Sequence, residues 1–372
     1  MLSEKEREAL FIINRMPGMY YKRLRLMYEY SGSFEEALSV PEKEFISNGV
    51  FINPGIPNFF DSYRLNGEFI EESRMLYRSL ASRGISMLDL TEEMPVRLRQ
   101  MPDPPAVLFV KGELPADKVP SVSIIGARRC SNYGSDAACF FAAELAKCGV
   151  QVISGMARGI DTMALNGAVT EGGKGYAVLG SGVEVCYPRE SLDVYNAISR
   201  GNGGIISEFS PDAAPLNYHF VMRNRLIAAL GDVLLVMEAA TRSGTQITVQ
   251  DALSQGKDVF ALPGRITDPL GRGCNRLIRE GAFPLIEPAD VLTYLGIEKK
   301  GSARTLKEKV MSGLSEDEKK LLSVMTQYPM HVEEIAIEAG MDLQKSQHLL
   351  SMLELHGNIR PEGSAYYSKI YK

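Results

Sequence analysis

Five glycines, Gly126, Gly155, Gly180, Gly182 and Gly264, each follow a short apolar run. Glycine lets backbone N–H groups come close to an anion, and the turns around these glycines are rich in arginine. The first turn reads Gly126-Ala127-Arg128-Arg129-Cys130-Ser131-Asn132-Tyr133-Gly134. Two guanidinium groups, a hydroxyl and an expected helix N-terminus together make an anion site. The spacing is not G-x-G-x-x-G, so a dinucleotide is not indicated. The second turn, Ser154-Gly155-Met156-Ala157-Arg158-Gly159-Ile160-Asp161, adds Arg158 and an acid positioned to cap a helix. The third, Leu179-Gly180-Ser181-Gly182, leads to Tyr187-Pro188-Arg189. The fourth runs from Asn217 through Phe220, Arg223 and Asn224 to Arg225. An aromatic beside arginines suits an unpaired base stacked over a backbone clamp; the competing reading of Phe220 is a core aromatic. Two more candidates are Arg242-Ser243-Gly244-Thr245 and the segment Gly271–Arg276 with Asn275.

Nine arginines, Arg128, Arg129, Arg158, Arg189, Arg223, Arg225, Arg242, Arg265 and Arg272, therefore fall in or near these segments. Some are expected to pair with Glu184, Glu208 or Glu238. The set exceeds what one mononucleotide needs and suits a polyanion.

The elements that must position these groups follow from the apolar pattern. Runs at 121–125, 150–153, 176–179, 204–207, 233–237 and 259–262 predict strands, and 137–146 and 160–169 predict helices between them. Apolar runs of this length separated by helices indicate a parallel sheet covered on both faces. The expected fold is α/β: a Rossmann-like, doubly wound, mostly parallel sheet, whose ligands bind at the carboxyl ends of the strands. Residues 1–75 predict a helical domain. Within it, Met16-Pro17-Gly18-Met19 before Tyr20-Tyr21-Lys22-Arg23 resembles a degenerate helix-hairpin-helix, or is a plain helical turn. Residues 76–298 form the Rossmann-like domain, with Pro102-Asp103-Pro104-Pro105 unable to be helix interior. A polar linker at 299–314 leads to 315–372. There a capping box at Ser315–Glu318, helix-turn-helix spacing over 332–355 and a hairpin within 357–367 predict a winged-helix-like domain.

The chain has 372 residues and a net charge of −5, which excludes a uniformly basic coat but not a basic cleft. Between residues 76 and 300, 16 of the 23 basic residues are arginine, the better bidentate phosphate ligand. The five cysteines contain no C-x-x-C pair, and the four histidines form no metal-spaced cluster, so neither a disulfide framework nor a metal site is expected. Cys139 and Cys148 read as packed small hydrophobes. Without a secretory signal or membrane-length apolar run, the expected location is cytoplasmic.

In this order the motifs resemble those of the DprA/Smf family of DNA-processing proteins. They are Ile124-Ile125-Gly126-Ala127-Arg128 with Tyr133-Gly134, the segment Ser154–Asp161, and Ala177–Gly180 through Tyr187-Pro188. Ser207-Glu208, Arg223-Asn224-Arg225, Val236–Ala239 with Arg242-Ser243-Gly244, Val259–Gly264 and Gly273-Cys274-Asn275 continue the series. The resemblance implies a non-enzymatic single-strand DNA-binding protein of natural transformation. It also implies loading of the RecA recombinase, contact with single-strand-binding protein, and a homodimer formed through the Rossmann-like domain, with no cofactor. Its DNA contacts would fall on Gly126, Arg128, Ser131, Gly155, Arg158, Arg189, Asn217, Phe220, Arg223, Asn224, Arg225, Ser243 and Asn275. Leu165, Asn217 and Val221 depart from the family pattern of His, a basic residue and Pro.

The enzymatic alternative is a nucleotide-cleaving hydrolase of the lysine-decarboxylase-like (LOG) fold. That signature needs a double glycine and a following Glu, which Ser243–Thr248 lacks. Asp161, Glu184 and Glu208 remain possible acids, without a nucleophile–base pair spaced for catalysis. Gly172-Gly173-Lys174-Gly175 lacks P-loop spacing. A transcription-regulator reading is thin, because the expected recognition helix carries only Lys345, His348 and His356 nearby.

Overall fold

Alternation of buried strands and amphipathic helices builds one nine-stranded sheet with helices on both faces. The computed structural model describes residues 2–51, 60–89, 94–297, 314–326 and 329–370. The amino-terminal helices are α1 (Glu4–Arg15), α2 (Tyr21–Ser31), α3 (Phe34–Ala37), α4 (Glu42–Ser47), α5 (Phe60–Arg64) and α6 (Gly67–Ser79). Next come β1 (Ile85–Asp89), α7 (Val96–Arg99) and β2 (Val107–Gly112). The wound unit is β3 (Ser121–Ile125), α8 (Asn132–Lys147), β4 (Gln151–Ser154), α9 (Ile160–Thr170), β5 (Gly175–Val178), α10 (Leu192–Ser199) and β6 (Gly203–Ser207). It continues with α11 (Asn217–Leu230), β7 (Val233–Val236), α12 (Thr245–Ser254), β8 (Asp258–Ala261), α13 (Gly271–Arg279), β9 (Phe283–Pro284) and α14 (Pro288–Tyr294).

The strand order is β1-β2-β6-β5-β4-β3-β7-β8-β9. Strands β3 to β9 run parallel, while β1 and β2 add an antiparallel edge through the β2–β6 pairing. Parallel strands in this sheet are buried on both faces, which is why they read as unbroken apolar runs rather than alternating ones. The six strands expected from the sequence are present. Strands β1 and β2 on one side and the edge strand β9 on the other are additions, and β1 alternates in burial as a half-covered edge strand does. The order reverses beside β3: β4, β5 and β6 lie on one side of it, and β7, β8 and β9 on the other.

The amino-terminal helices share a core with the sheet. Phe11 packs edge-on against Phe109 of β2 at 5.7 Å, and one apolar cluster runs from Leu10 to Leu179 and Ile205. Helix α6 continues past residue 75, where the domain boundary was expected. The Pro17-Gly18 turn joins α1 to α2: Gly18 has φ +78°, Met16 and Met19 are buried, and Pro17 at its tip is exposed.

The linker reading at 299–314 falls outside the described residues except at Leu314. Beyond it, α15 (Glu316–Val324) begins with the expected capping box at Ser315 and Glu318. Strand β10 (Met330–His331), α16 (Val332–Ala339), α17 (Leu343–Leu355), β11 (Ile359–Pro361) and β12 (Tyr366–Lys369) complete a winged helix. The wing touches the first turn of α8: Arg360 pairs with Asp136 at 3.0 Å, and Asn132 Nδ2 lies 3.4 Å from Glu362 Oε1. Cys148 is exposed at the end of α8 and is not a packed hydrophobe; Cys139 is half-buried.

Helices α8 and α9 cross where Gly167 leaves no room for a side chain, since a Cβ there would lie 2.2 Å from the Cys139 carbonyl oxygen. Backbone cannot yield as a flexible side chain can. Gly167→Ala should therefore destabilise the fold by roughly 1–3 kcal/mol, the usual cost of overpacking, read as a lower urea midpoint at unchanged slope.

Candidate nucleic-acid interface

The reversal of strand order opens a crevice at the carboxyl ends of β3 and β7, the place where doubly wound sheets take ligands. A cleft of about 550 Å³ lies there. The loop after β3 (Gly126–Arg129), the segment Ala240–Thr248 and one face of α11 line it.

Glu238, just beyond β7, reaches across to the N-terminus of α8. Its carboxylate accepts the Ser131 backbone N–H at 2.8 Å and also the Ser131 hydroxyl. Gly134 makes this possible, because a Cβ there would lie 2.4 Å from the Glu238 carboxyl carbon. The helix N-terminus thus already binds an anion, and that anion is the protein's own. Ser131 caps α8 through the Gly134 N–H and holds Glu238, so it is corrected from ligand contact to structural cap.

Beneath the cleft sits a buried charge pair. Arg223 donates to the carbonyls of Gly155, at 2.7 Å, and Val178. Asp161 accepts from the Ala157 N–H at 3.4 Å. Gly155 is there for space: a Cβ would fall 2.3 Å from Arg223 Nη1 and 2.6 Å from Asp161 Oδ2. That replaces its expected role as a DNA contact. Asp161 lies in the first turn of α9 but is not its N-cap, which is Gly159 at φ +78°. Burial pushes the Asp161 carboxyl up to about 6, against the opposing pull of Arg223. Burial likewise lowers Arg223 to about 10.

Above this floor the half-buried Phe220 ring presents a platform. The Arg128 guanidinium lies 5.3 Å from the ring centroid and Arg223 lies 5.8 Å from it. Tyr187, which is exposed, packs at 5.6 Å from the same ring. Gly180 leaves the room Phe220 occupies. Asn217, Asn224, Ser243 and Gly126 line the same cleft. Helices α11 and α12 begin with no side-chain cap; the His219 N–H bonds back to the Leu216 carbonyl, and the Gln246 and Ile247 N–H groups bond to the Ser243 and Gly244 carbonyls, so the start of α12 is largely closed to an anion.

Other expected residues stand elsewhere. Arg225 points to the opposite side of α11, where it pairs with buried Glu208, donates to the Asp103 carbonyl at 2.8 Å and lies 4.1 Å over the Tyr21 ring. It joins the sheet unit to the amino-terminal helices and is not a cleft arginine. Asn275 closes the turn after β8 with paired bonds to Gly264, at 3.0 and 2.9 Å. Arg158 pairs with Glu190 at 2.8 Å, and Arg189 is exposed beside it; neither lines the cleft. Of the nine arginines expected at this edge, Arg128, Arg129 and Arg223 line the cleft. Of the three acids, Glu208 pairs with an arginine of that set, Glu184 pairs with Arg83 at 3.0 Å, and Glu238 holds Ser131. Tyr187 and the Glu238 plug belong to the site beyond the residues expected there. Tyr187 carried a signal, an aromatic immediately before Pro188-Arg189, whereas the Glu238 contact spans 107 residues and carried none.

The fold and cleft define a doubly wound α/β protein with an arginine–aromatic anion cleft and a carboxyl-terminal winged helix. Residues 87–296 match the family model of DNA recombination-mediator protein A, and 307–363 match the DprA winged helix domain. The chain belongs to this DprA/Smf family of DNA-processing proteins. It is 40% identical over 205 residues to Protein Smf of Escherichia coli, covering 55% of each chain. It is 41% identical over 203 residues to DNA processing protein DprA of Streptococcus pneumoniae, covering 53% of this chain and 70% of that one. The match thus spans little more than half of the Escherichia coli protein. The crystal structure of the Streptococcus pneumoniae protein superposes with a TM-score of 0.63 at 30% identity, covering 79% of this chain and 98% of that one. A Helicobacter pylori DNA processing protein A, described for its single-stranded DNA binding mode, superposes with a TM-score of 0.51 at 30% identity, covering 57% and 95%. Among the described residues, no helix is long and apolar enough to cross a membrane, and no cluster of His, Cys, Asp and Glu is arranged to hold a metal ion.

An acid whose folded value lies above its unfolded one keeps its proton longer in the folded chain. Its contribution to stability therefore falls as pH rises from about 4 to about 6. At about 1.4 kcal/mol per unit, Asp161 should account for a loss of roughly 3 kcal/mol over that interval. Urea unfolding at pH 4.5 and 6.5 checks this: Asp161→Asn should flatten the difference seen in the native chain.

Proposed function

We propose that the cleft binds single-stranded DNA with little sequence preference. The observation that carries this reading is the Arg128–Phe220–Tyr187 platform at the carboxyl ends of the strands. A guanidinium over an aromatic ring can clamp a phosphate while the ring takes a base face, which is how strands are held without base readout. Duplex DNA would not offer its base faces to Phe220. The binding mode named for the Helicobacter pylori relative supports the same reading.

The finer reading is that the chain hands its strand to the RecA recombinase during transformation, displaces or accommodates single-strand-binding protein, and works as a homodimer through its Rossmann-like unit. The family's description as a recombination mediator supports the handover. The role is non-catalytic. The three acids considered for catalysis are each engaged by the protein's own groups: Asp161 with Ala157, Glu184 with Arg83 and Glu208 with Arg225.

Arg128→Ala should weaken oligonucleotide binding equally for all sequences and lower the salt slope by roughly one. Phe220→Ala should cost about 1–3 kcal/mol of binding. Fluorescence anisotropy of labelled strands at four salt concentrations checks both, with circular dichroism confirming folding. Equal affinity for duplex and single strand, or an Arg128→Ala slope matching the native one, refutes the reading. Release of base from a nucleoside monophosphate by the native chain would revive the hydrolase.

A further inference from the structure

The start of α11 carries exposed apolar side chains beyond the cleft. Leu216, Tyr218 and Val221 are 43%, 45% and 49% exposed. Single exposed hydrophobics are ordinary, but a contiguous group marks a contact surface. Val221 and Asn217 line the cleft. Tyr218 lies between them in sequence and is the i−3 neighbour of Val221, so its ring borders the cleft wall. The patch is therefore continuous with the cleft.

Tyr218 is exposed and yet held in place. Tyr20, the N-cap residue of α2, packs edge-on to it at 5.9 Å, and His219 does so at 4.5 Å. A hydrogen bond joins the Tyr20 and Tyr218 side chains. These contacts fix the ring while leaving nearly half of it in water. Such a ring contributes little to a core, and it has little freedom left to lose when a flat partner stacks on it.

The charge beside it suits an anionic partner. Lys22, in the first turn of α2, has a side chain 64% exposed and lies 3.6 Å from Asp103. An exposed pair at that distance contributes little, so the ammonium group is open to a phosphate.

We propose that Tyr218 is a second stacking station, which takes one base of a strand that leaves the cleft across the start of α11 toward α2. This rests on the single-strand reading above. Phe220 and Tyr218 project from one turn on different sides, and a helix with its side chains is only about 10–12 Å across. A flexible strand passes from one ring to the other within a few nucleotides, over Asn217 and Val221. Stacking requires only a base face, so the station adds affinity with strand length and adds no preference for sequence.

Anisotropy with the full chain compares dT6, short enough to lie in the cleft, with dT20, long enough to reach past it. Tyr218→Ala should lower dT20 affinity about tenfold, the scale of one base stack, and leave dT6 affinity unchanged. Phe220→Ala should weaken both. Tyr218→Phe keeps the ring and loses the hydroxyl bond to Tyr20, and it should bind dT20 as the native chain does. Strands carrying 5-iodouracil should photocrosslink to Tyr218 of the native chain, located by mass spectrometry. Melting curves identify a variant that fails to fold, and the crosslink, which needs no variant, then decides. Unchanged dT20 affinity in Tyr218→Ala overturns the station and leaves the cleft standing. An equal loss for dT6, a loss in Tyr218→Phe as large as that in Tyr218→Ala, or no crosslink at Tyr218 does the same. If the native chain binds neither strand, the single-strand reading fails and the station falls with it.

Discussion

The site is organised by one carboxylate. Glu238 stands at the end of β7 and is held at the N-terminus of α8, which follows β3. It thereby bridges the two strands between which the sheet reverses direction. The contact orders the loop that carries Arg128 and fills the helix N-terminus that would otherwise draw a phosphate. Gly134 exists in that first turn because the carboxylate needs its space. An external anion is left chiefly with the guanidinium groups of Arg128 and Arg129. The cleft is therefore shaped for a strand lying across several loops, and not for one phosphate seated at one helix.

The strand-and-turn skeleton was legible because parallel strands leave unbroken apolar runs, and four of them, β3, β4, β5 and β8, lead into a glycine: Gly126, Gly155, Gly180 and Gly264. The winged helix was legible from its caps: Ser315 with Glu318, and Gly340 in the left-handed conformation ending α16. What was not legible was partnership. Arg223 and Arg225 are two positions apart on one helix, and 3.6-residue periodicity sends them to different surroundings. Arg223 goes under the cleft with Asp161, and Arg225 goes to Glu208 and Tyr21. Composition alone makes them a pair of phosphate ligands. Asn275 and Ser131 were misassigned for the same reason, since their polar atoms are spent on backbone and carboxylate groups far along the chain. Strand β1 was missed because an edge strand is only half covered, and β9 because two exposed residues leave no apolar run; β2, an interior strand with residues 107–110 buried, did carry such a run.

Net charge behaves the same way. An overall −5 says nothing about where charge is free. Arg15, Arg97 and Arg225 are all spent on acids within the chain. Arg128 is exposed and held over an aromatic face instead. A guanidinium in that position keeps its N–H fork for a ligand, because a ring offers its electrons and no hydrogen-bond acceptor in the guanidinium plane.

Helix α11 is the element in which these arguments meet. Its hydrophobic periodicity is poor because three faces are committed to different tasks. One face presents Asn217, Phe220 and Asn224 to the cleft, and another places His219 and Met222 against the amino-terminal helices. A third sends Ile227 and Leu230 into the sheet, where their carbonyls also accept the hydroxyls of Ser123 and Ser121 from β3. Those buried serines tie the far end of α11 to the strand whose loop carries Arg128. A displacement of α11 would move Phe220 from beneath Arg128 and His219 off Phe209 at once, so strand binding on one face and docking of the amino-terminal helices on the other share a single mechanical element.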